Sequence, residues 1–320
     1  MNRKTKGWIF AAAALIIIGG ISFGGGMKML GWDFTKLSTT QYETNEYAVA
    51  QAYTSIVITV KAADIELVPS ENAQTRIVCR EPRNARHKVE VREGALMVEV
   101  VDERKWYEHI GINFGSPRIT IYIPQGEYDS FSVQTDTGNV KIPACFGFKS
   151  MDVSADTGDV TNAASVAGNM KIRTDTGSIQ IKDVSAGMMD LSVLTGGVAV
   201  ESVVCQGDVK VHVSTGKARF SKVRCLNLFS DGSTGDILLT DTIATQTMSV
   251  ERSTGEVKLD GCDAAEIYIR TATGSVRGTL LTDKIFIAKT DAGTVHVPAS
   301  VSGGRCEVRT STGDIRLDVR

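Results

Sequence analysis

The chain has 320 residues, 42% of them hydrophobic, with 35 Lys and Arg against 37 Asp and Glu for a formal charge of −2. That balance leaves no basic face for nucleic acid. Six cysteines without a C-x-x-C pair or a Cys/His cluster at zinc-ligand spacing argue against a metal site, a redox motif or any bound cofactor.

In chain order, Arg3, Lys4 and Lys6 precede a stretch from Trp8 to Met27 with no charged residue. Twenty helical residues span ~30 Å, the thickness of a bilayer's hydrocarbon core. Residues 1–7 are therefore predicted as a cytoplasmic tail and 8–30 as a single transmembrane anchor, with Trp8 and Trp32 as interfacial residues. The basic flank predicts a cell-membrane protein whose C-terminal portion is extracytoplasmic. A cleaved signal peptide is the rival, because Gly19–Gly20 and Gly24–Gly26 shorten the apolar run; no A-x-A-like site comes after it, which favours an uncleaved anchor.

Residues 31–52 are polar and aperiodic and are expected to be a linker. From Tyr53 the pattern turns to β, with Ile56, Ile58 and Val60 alternating with Val57 and Thr59. Further strands are predicted at Arg76–Cys79, Lys88–Arg92, Leu96–Val101 and Arg118–Ile123, with Glu93-Gly94 closing a hairpin. Residues 53–125 carry no fixed repeat and are expected to form a β-rich N-terminal cap, since a solenoid's first rung would otherwise expose its edge.

A repeat occupies residues 126–320. Ten glycines, from Gly138, Gly158 and Gly177 to Gly293 and Gly313, recur every 19 or 20 residues, and Thr precedes all but Gly293. Aligned on that glycine, the positions seven before (Phe131, Met151, Met170 and onward) and two after (Val140, Val160, Ile179 and onward) are apolar in every rung. The position five before is apolar except at Ser230, and the position four before is always polar. A period of two within each rung and of about 19 between rungs predicts a parallel β-solenoid, a single-stranded β-helix of about ten rungs. Asp or Ser two before the glycine is expected to cap the corner as Asx- and ST-turns do. Cys205 and Cys225 share one offset in adjacent rungs, where they are either buried hydrophobes of a core column or near enough to bridge.

Asp136-Thr137-Gly138, Asp156-Thr157-Gly158 and Asp175-Thr176-Gly177 spell the D-T-G of aspartic proteases. Their recurrence at solenoid spacing, with Ser, Leu or Ala replacing Asp in later rungs, assigns them to architecture, since that chemistry needs two carboxylates sharing one proton. Intervals of 19 or 20 also leave no room for the long loops on which β-helix polysaccharide lyases carry their chemistry. The irregular, chemically rich stretch is Asp102–Arg118, where a long hairpin connection in the cap is the favoured reading and Trp106, Tyr107, His109 and Phe114 as a recognition loop the alternative.

The Trp8–Met27 anchor, the strand Arg118-Ile119-Thr120-Ile121-Tyr122-Ile123-Pro124 and the repeated T/S-x-T-G-[DNS]-[VI] turns together resemble the bacterial putative adhesin family, membrane-anchored β-repeat proteins of unknown function. The resemblance covers about residues 53–320 and implies an all-β envelope protein, in some relatives associated with stress-response operons. No catalytic residues come with it. The expected function is a non-enzymatic interaction scaffold that meets a cell-wall polymer or envelope protein. A carbohydrate-active enzyme and an accessory or sensor protein of envelope-stress signalling are the alternatives. Because Val319–Arg320 ends the chain just after the last strand, an uncovered final edge predicts end-to-end homo-oligomers.

Overall fold

The computed structural model describes residues 3–33, 40–102 and 115–320. Helix α1, Arg3–Met29, is rich in Gly, Ile and Ala, has no proline, and carries no charged residue between Lys6 and Lys28. Its Gly7–Met29 stretch contains 18 consecutive residues with a mean hydropathy of 2.0 and is long and apolar enough to cross a membrane.

Among the described residues all other helices and strands are β-strands, joined in one sheet that coils into a solenoid. A typical rung is a long strand, a glycine corner and a short strand. Phe146–Thr157 pairs in parallel with Gly126–Thr137 on one side and Ser165–Thr176 on the other. The next strand, Val160–Asn162, pairs with Val140–Ile142 and Ile179–Lys182. Register is kept, so Met151 lies between Phe131 and Met170 and the apolar columns become continuous seams. Every residue of the three columns is buried except in the rung of Gly293, and the column four before the glycine is turned outward. Outward and inward residues separate in this way because successive strand side chains point to opposite faces.

Close approach dictates the corner. Gly216 has φ 141°, and a Cβ there would sit 1.4 Å from the carbonyl oxygen of Gly196. Only glycine fits a position that is both left-handed and pressed against the neighbouring backbone. The Asp and Ser side chains two before the glycine are not what satisfies this corner: they are exposed or half-exposed. Threonines three before it do so instead, as when Thr174 Oγ1 donates to Gly158 O at 3.0 Å and Thr310 Oγ1 to Gly274 O at 3.0 Å. Side chains one after the glycine link rungs too: Asn139 Oδ1 accepts the Asp159 N–H at 2.9 Å, and Asp159 Oδ1 the Ser178 N–H at 2.8 Å. Cys205 and Cys225 are free and buried.

The N-terminal strands are β1 (Tyr42–Val49), β2 (Ser55–Ala62), β3 (Asp64–Pro69), β4 (Thr75–Pro82), β5 (Ala85–Arg92), β6 (Ala95–Asp102) and β7 (Arg118–Ile123). β1 falls in the segment expected to be a linker and pairs antiparallel with β4 along its whole length; its Tyr47 and Val49 pack against the core, which the polar composition around them concealed. β2 and β3 stack directly on the first regular rung, Val133 opposite Ile58 and Val140 opposite Ile65. β6 and β7 form the layer beyond them. The first rung in sequence is thus second in space. β4 and β5 then pair antiparallel with the outer edges of β7 and β6, and Glu93 and Gly94, both with positive φ, make the expected hairpin turn between β5 and β6.

The C-terminal end repeats this exchange of order without the seal. Gly304–Thr312 pairs with Glu266–Thr273 on one side and Lys284–Ala292 on the other. Ile315–Val319 likewise lies between Val276–Leu280 and Val295–His296. The last rung is inserted ahead of the penultimate one, so the chain's final strand is not the open edge. Gly304 permits the insertion, since a Cβ there would lie 1.9 Å from Ala265 O.

Candidate functional site

Two places stand apart from the regular rod. The first is a cavity of about 280 Å³ in the N-terminal layers, lined among others by Tyr42, Asp64, Pro82, His87, Val100 and Pro117. Trp106, Tyr107, His109 and Phe114 lie outside the described residues; the segment holding them leaves from β6 and returns just before Gly115 and Ser116, which also line the cavity.

Behind His87 is a buried polar network. Strand alternation puts Thr75, Ile77, Cys79 and Glu81 of β4 on one buried face, and β5 brings His87 against them. Glu81 Oε1 accepts from Asn45 Nδ2 at 2.6 Å and Tyr47 OH at 3.1 Å. Glu81 Oε2 accepts the His87 backbone N–H at 2.6 Å and faces His87 Nδ1 at 2.5 Å. A carboxylate only accepts, so this geometry assigns the proton to Nδ1. Burial, reinforced by Glu81, pushes the Tyr47 hydroxyl and the Cys79 thiol up to about 12. A thiol held that high is no nucleophile at neutral pH.

Cys79, Glu81 and His87 bring one ligand atom each within 4.8 Å of one another, a donor set of the type zinc takes. Sequence spacing predicted no metal site, and this trio arises only because the short turn between Pro82 and Ala85 brings the start of β5 against the end of β4. Both Glu81 oxygens are already engaged, so the network is complete as it stands. Sequence reasoning missed it, and the signal that could have found it is Glu81 itself, an acid at the inward parity of β4.

The second place is the outermost C-terminal rung. Among the described residues its strand Lys284–Ala292 is paired on one edge alone, with Gly304–Thr312, and its short strand Val295–His296 pairs only with Ile315–Val319. Ile285, Ile287 and Val295 are each 44–45% exposed. The inward Phe286 and Ala288 are only partly buried, so the apolar seam reaches the surface here. Lys284 holds the rung down: its buried Nζ lies 2.6 Å from Asp263 Oδ1 and 2.7 Å from Thr282 Oγ1. Sequence reasoning expected an open edge but set it at Val319, one rung too late, because it assumed that sequence order is stacking order.

A family model described as Toastrack DUF4097 matches residues 53–213 and 205–320. A crystal structure of a putative adhesin from Bacteroides fragilis NCTC 9343 is similar at 16% identity and TM-score 0.43, over 88% of this chain and 99% of that one. A putative adhesin from Parabacteroides merdae ATCC 43184 has 10% identity and TM-score 0.48, over 88% and 98%. A putative lipid binding protein from Parabacteroides distasonis ATCC 8503 has 14% identity and TM-score 0.44, over 88% and 98%. No curated protein matches the chain.

Proposed function

Since the chain belongs to the Toastrack DUF4097 family, we propose that it is a membrane-anchored interaction scaffold of the cell envelope, an extracytoplasmic rod that engages its partner by strand addition. The observation that carries this reading is the unsealed rung Lys284–Ala292, whose free backbone edge and exposed Ile285 and Ile287 form a template for another strand. The apolar helix at the opposite end of the sequence supports the anchor.

The occupant we assign is a second copy of the chain. The outer edges of both N-terminal layer strands are already paired, so pairing open end to open end about a two-fold axis closes after two copies. Centred on Ile287, antiparallel pairing would set inward Phe286 against the partner's Ala288, large against small, and continue both cores across the junction. Sedimentation of the detergent-solubilised full chain tests this. A dimer is expected, reduced to monomer by Ile285→Lys with Ile287→Lys. A monomer at tens of micromolar, or a dimer that survives both lysines, would overturn the self-pairing.

A further inference from the structure

One stretch of the solenoid interior holds buried polar groups without partners. Arg252 sits three residues before its corner glycine, on the inward face, and is 2% exposed. Its ladder neighbours at this position are Gly232 and Thr271. Arg252 Nη1 donates to the carbonyl oxygen of Val213, two rungs away, across a space that Gly232 leaves free: a Cβ there would meet Nη1 at 2.0 Å. Val193 pairs with Val213 in this column, yet the ladder has no Val213–Gly232 pairing. The ladder is interrupted at this point, and the guanidinium reaches Val213 O through the room that the missing side chain of Gly232 leaves.

The rest of that guanidinium has no protein partner. Arg252 Nε and Nη2, Ser230 Oγ and Thr271 Oγ1 are buried without a hydrogen bond. They are four of the five such side-chain atoms among the described residues, and the fifth, Glu90 Oε1, has Lys88 Nζ 3.0 Å away. Thr271 is directly opposite Arg252, and Ser230 is opposite Val250, two residues before Arg252 on the same inward face. Ser230 lies on the side toward which the guanidinium runs to reach Val213, whereas Thr271 is on the far side of the Arg252 strand, about 10 Å across the ladder from Ser230. Thr271 also departs from its column, in which Thr174 and Thr310 donate to the corner carbonyl of an adjacent rung.

The charge needs an answer as well as the donors. The nearest acids, Asp231 and Asp236, face outward and are engaged by His212 at 2.6 Å and Lys217 at 3.2 Å. Burial holds the Arg252 guanidinium below its ordinary proton affinity, and an interior cation without a counter-charge costs several kcal/mol. We infer that Arg252 and Ser230 form an internal binding site for a small monovalent anion of halide size, taken up beside Gly232. Every unpartnered group there is a donor or can become one by rotating its hydroxyl.

The probe is bromide. In crystals of the full chain grown in bromide, the expected result is an anomalous peak within hydrogen-bonding distance of Arg252 Nε or Nη2. In solution, the thermal midpoint of the solubilised full chain should rise by about 2 °C or more when bromide replaces gluconate at constant ionic strength. Arg252→Met, of similar bulk and uncharged, should abolish that rise; Ser230→Ala, a smaller change, should reduce it and serves if the methionine variant does not fold. No anomalous peak, or equal midpoints in both anions for the native chain, would overturn the site and leave water as its only occupant.

Discussion

The two ends of the rod handle the same problem differently. At each, the chain runs past one layer and returns to fill it, so the outermost layer is second in sequence at one end and penultimate at the other. At the N-terminal end β4 and β5 then close the outer edges with antiparallel strands. At the C-terminal end Lys284–Ala292 keeps a free edge. Exchanging the order of two rungs locks the terminal strand between neighbours but leaves an edge behind. Covering that edge takes strands of another direction, which among the described residues only the N-terminal end has, and the edges left there belong to the antiparallel strands β1 and β5 and not to the stacked layers.

The sharpest way to break the comparison is to perturb the same corner in mid-rod and at the open end. Gly216→Ala forces a Cβ against Gly196 O in a rung held on both sides; a loss of about 3 kcal/mol or more is expected in denaturant unfolding. Gly293→Ala meets Gly313 O at 2.2 Å but can be relieved by fraying the last layer, so faster amide exchange confined to residues 284–296 is expected with a nearly unchanged global midpoint. Equal global losses would contradict the idea that the open rung is only loosely coupled.

Next in size is the seal itself. Glu81→Ala leaves Asn45, Tyr47 and His87 without their common acceptor, and a cost of about 3 kcal/mol is expected. Ile287→Lys at the open end should change monomer stability by no more than about 0.5 kcal/mol, since the residue is already exposed. A destabilisation by Ile287→Lys as large as that of Glu81→Ala would mean that the two ends are equally packed.

The smallest effect expected is one of pH. Asp314 accepts the Thr294 N–H at 2.9 Å and its hydroxyl at 2.8 Å, and these bonds hold its carboxyl below the ordinary 3.8. A depressed acid stabilises the fold above its unfolded value and loses that contribution as pH falls through the folded one. Acidification from pH 4 downward should therefore loosen Thr294 first. Asp236, similarly depressed chiefly by the Glu256 N–H, sits in mid-rod, and Glu256 should stay protected over the same range. Amide exchange at pH 4 and pH 3 resolves the two.

Much of the solenoid was legible in the sequence because its physics is periodic. A column that must be buried in every rung, such as Phe131, Met151 and Met170, announces itself ten times over, and so does a corner that only glycine can occupy. What stayed hidden was non-periodic. The stacking order at the ends depends on which edges pair, and nothing in the residues of Lys284–Ala292 or Gly304–Thr312 ranks one before the other. β1 was missed because Glu43, Thr44 and Asn45 outweigh Tyr47 and Val49 in composition, although the latter pair packs on the core. Glu81, Ser230 and Arg252 left traces as polar residues at inward parity, but a trace of that kind marks an exception without naming its partners.

The central claim, that the open rung is the self-pairing edge, is tested most directly by a single cysteine in intact membranes. Every native cysteine is buried or partly buried, and Ile287 is exposed on the unpaired strand. Ile287→Cys in the full chain should form a disulfide-linked dimer under mild oxidation, while Lys258→Cys, on a mid-rod strand paired on both edges, should not. A monomeric Ile287→Cys chain, or equal cross-linking at both positions, would contradict self-pairing at this edge.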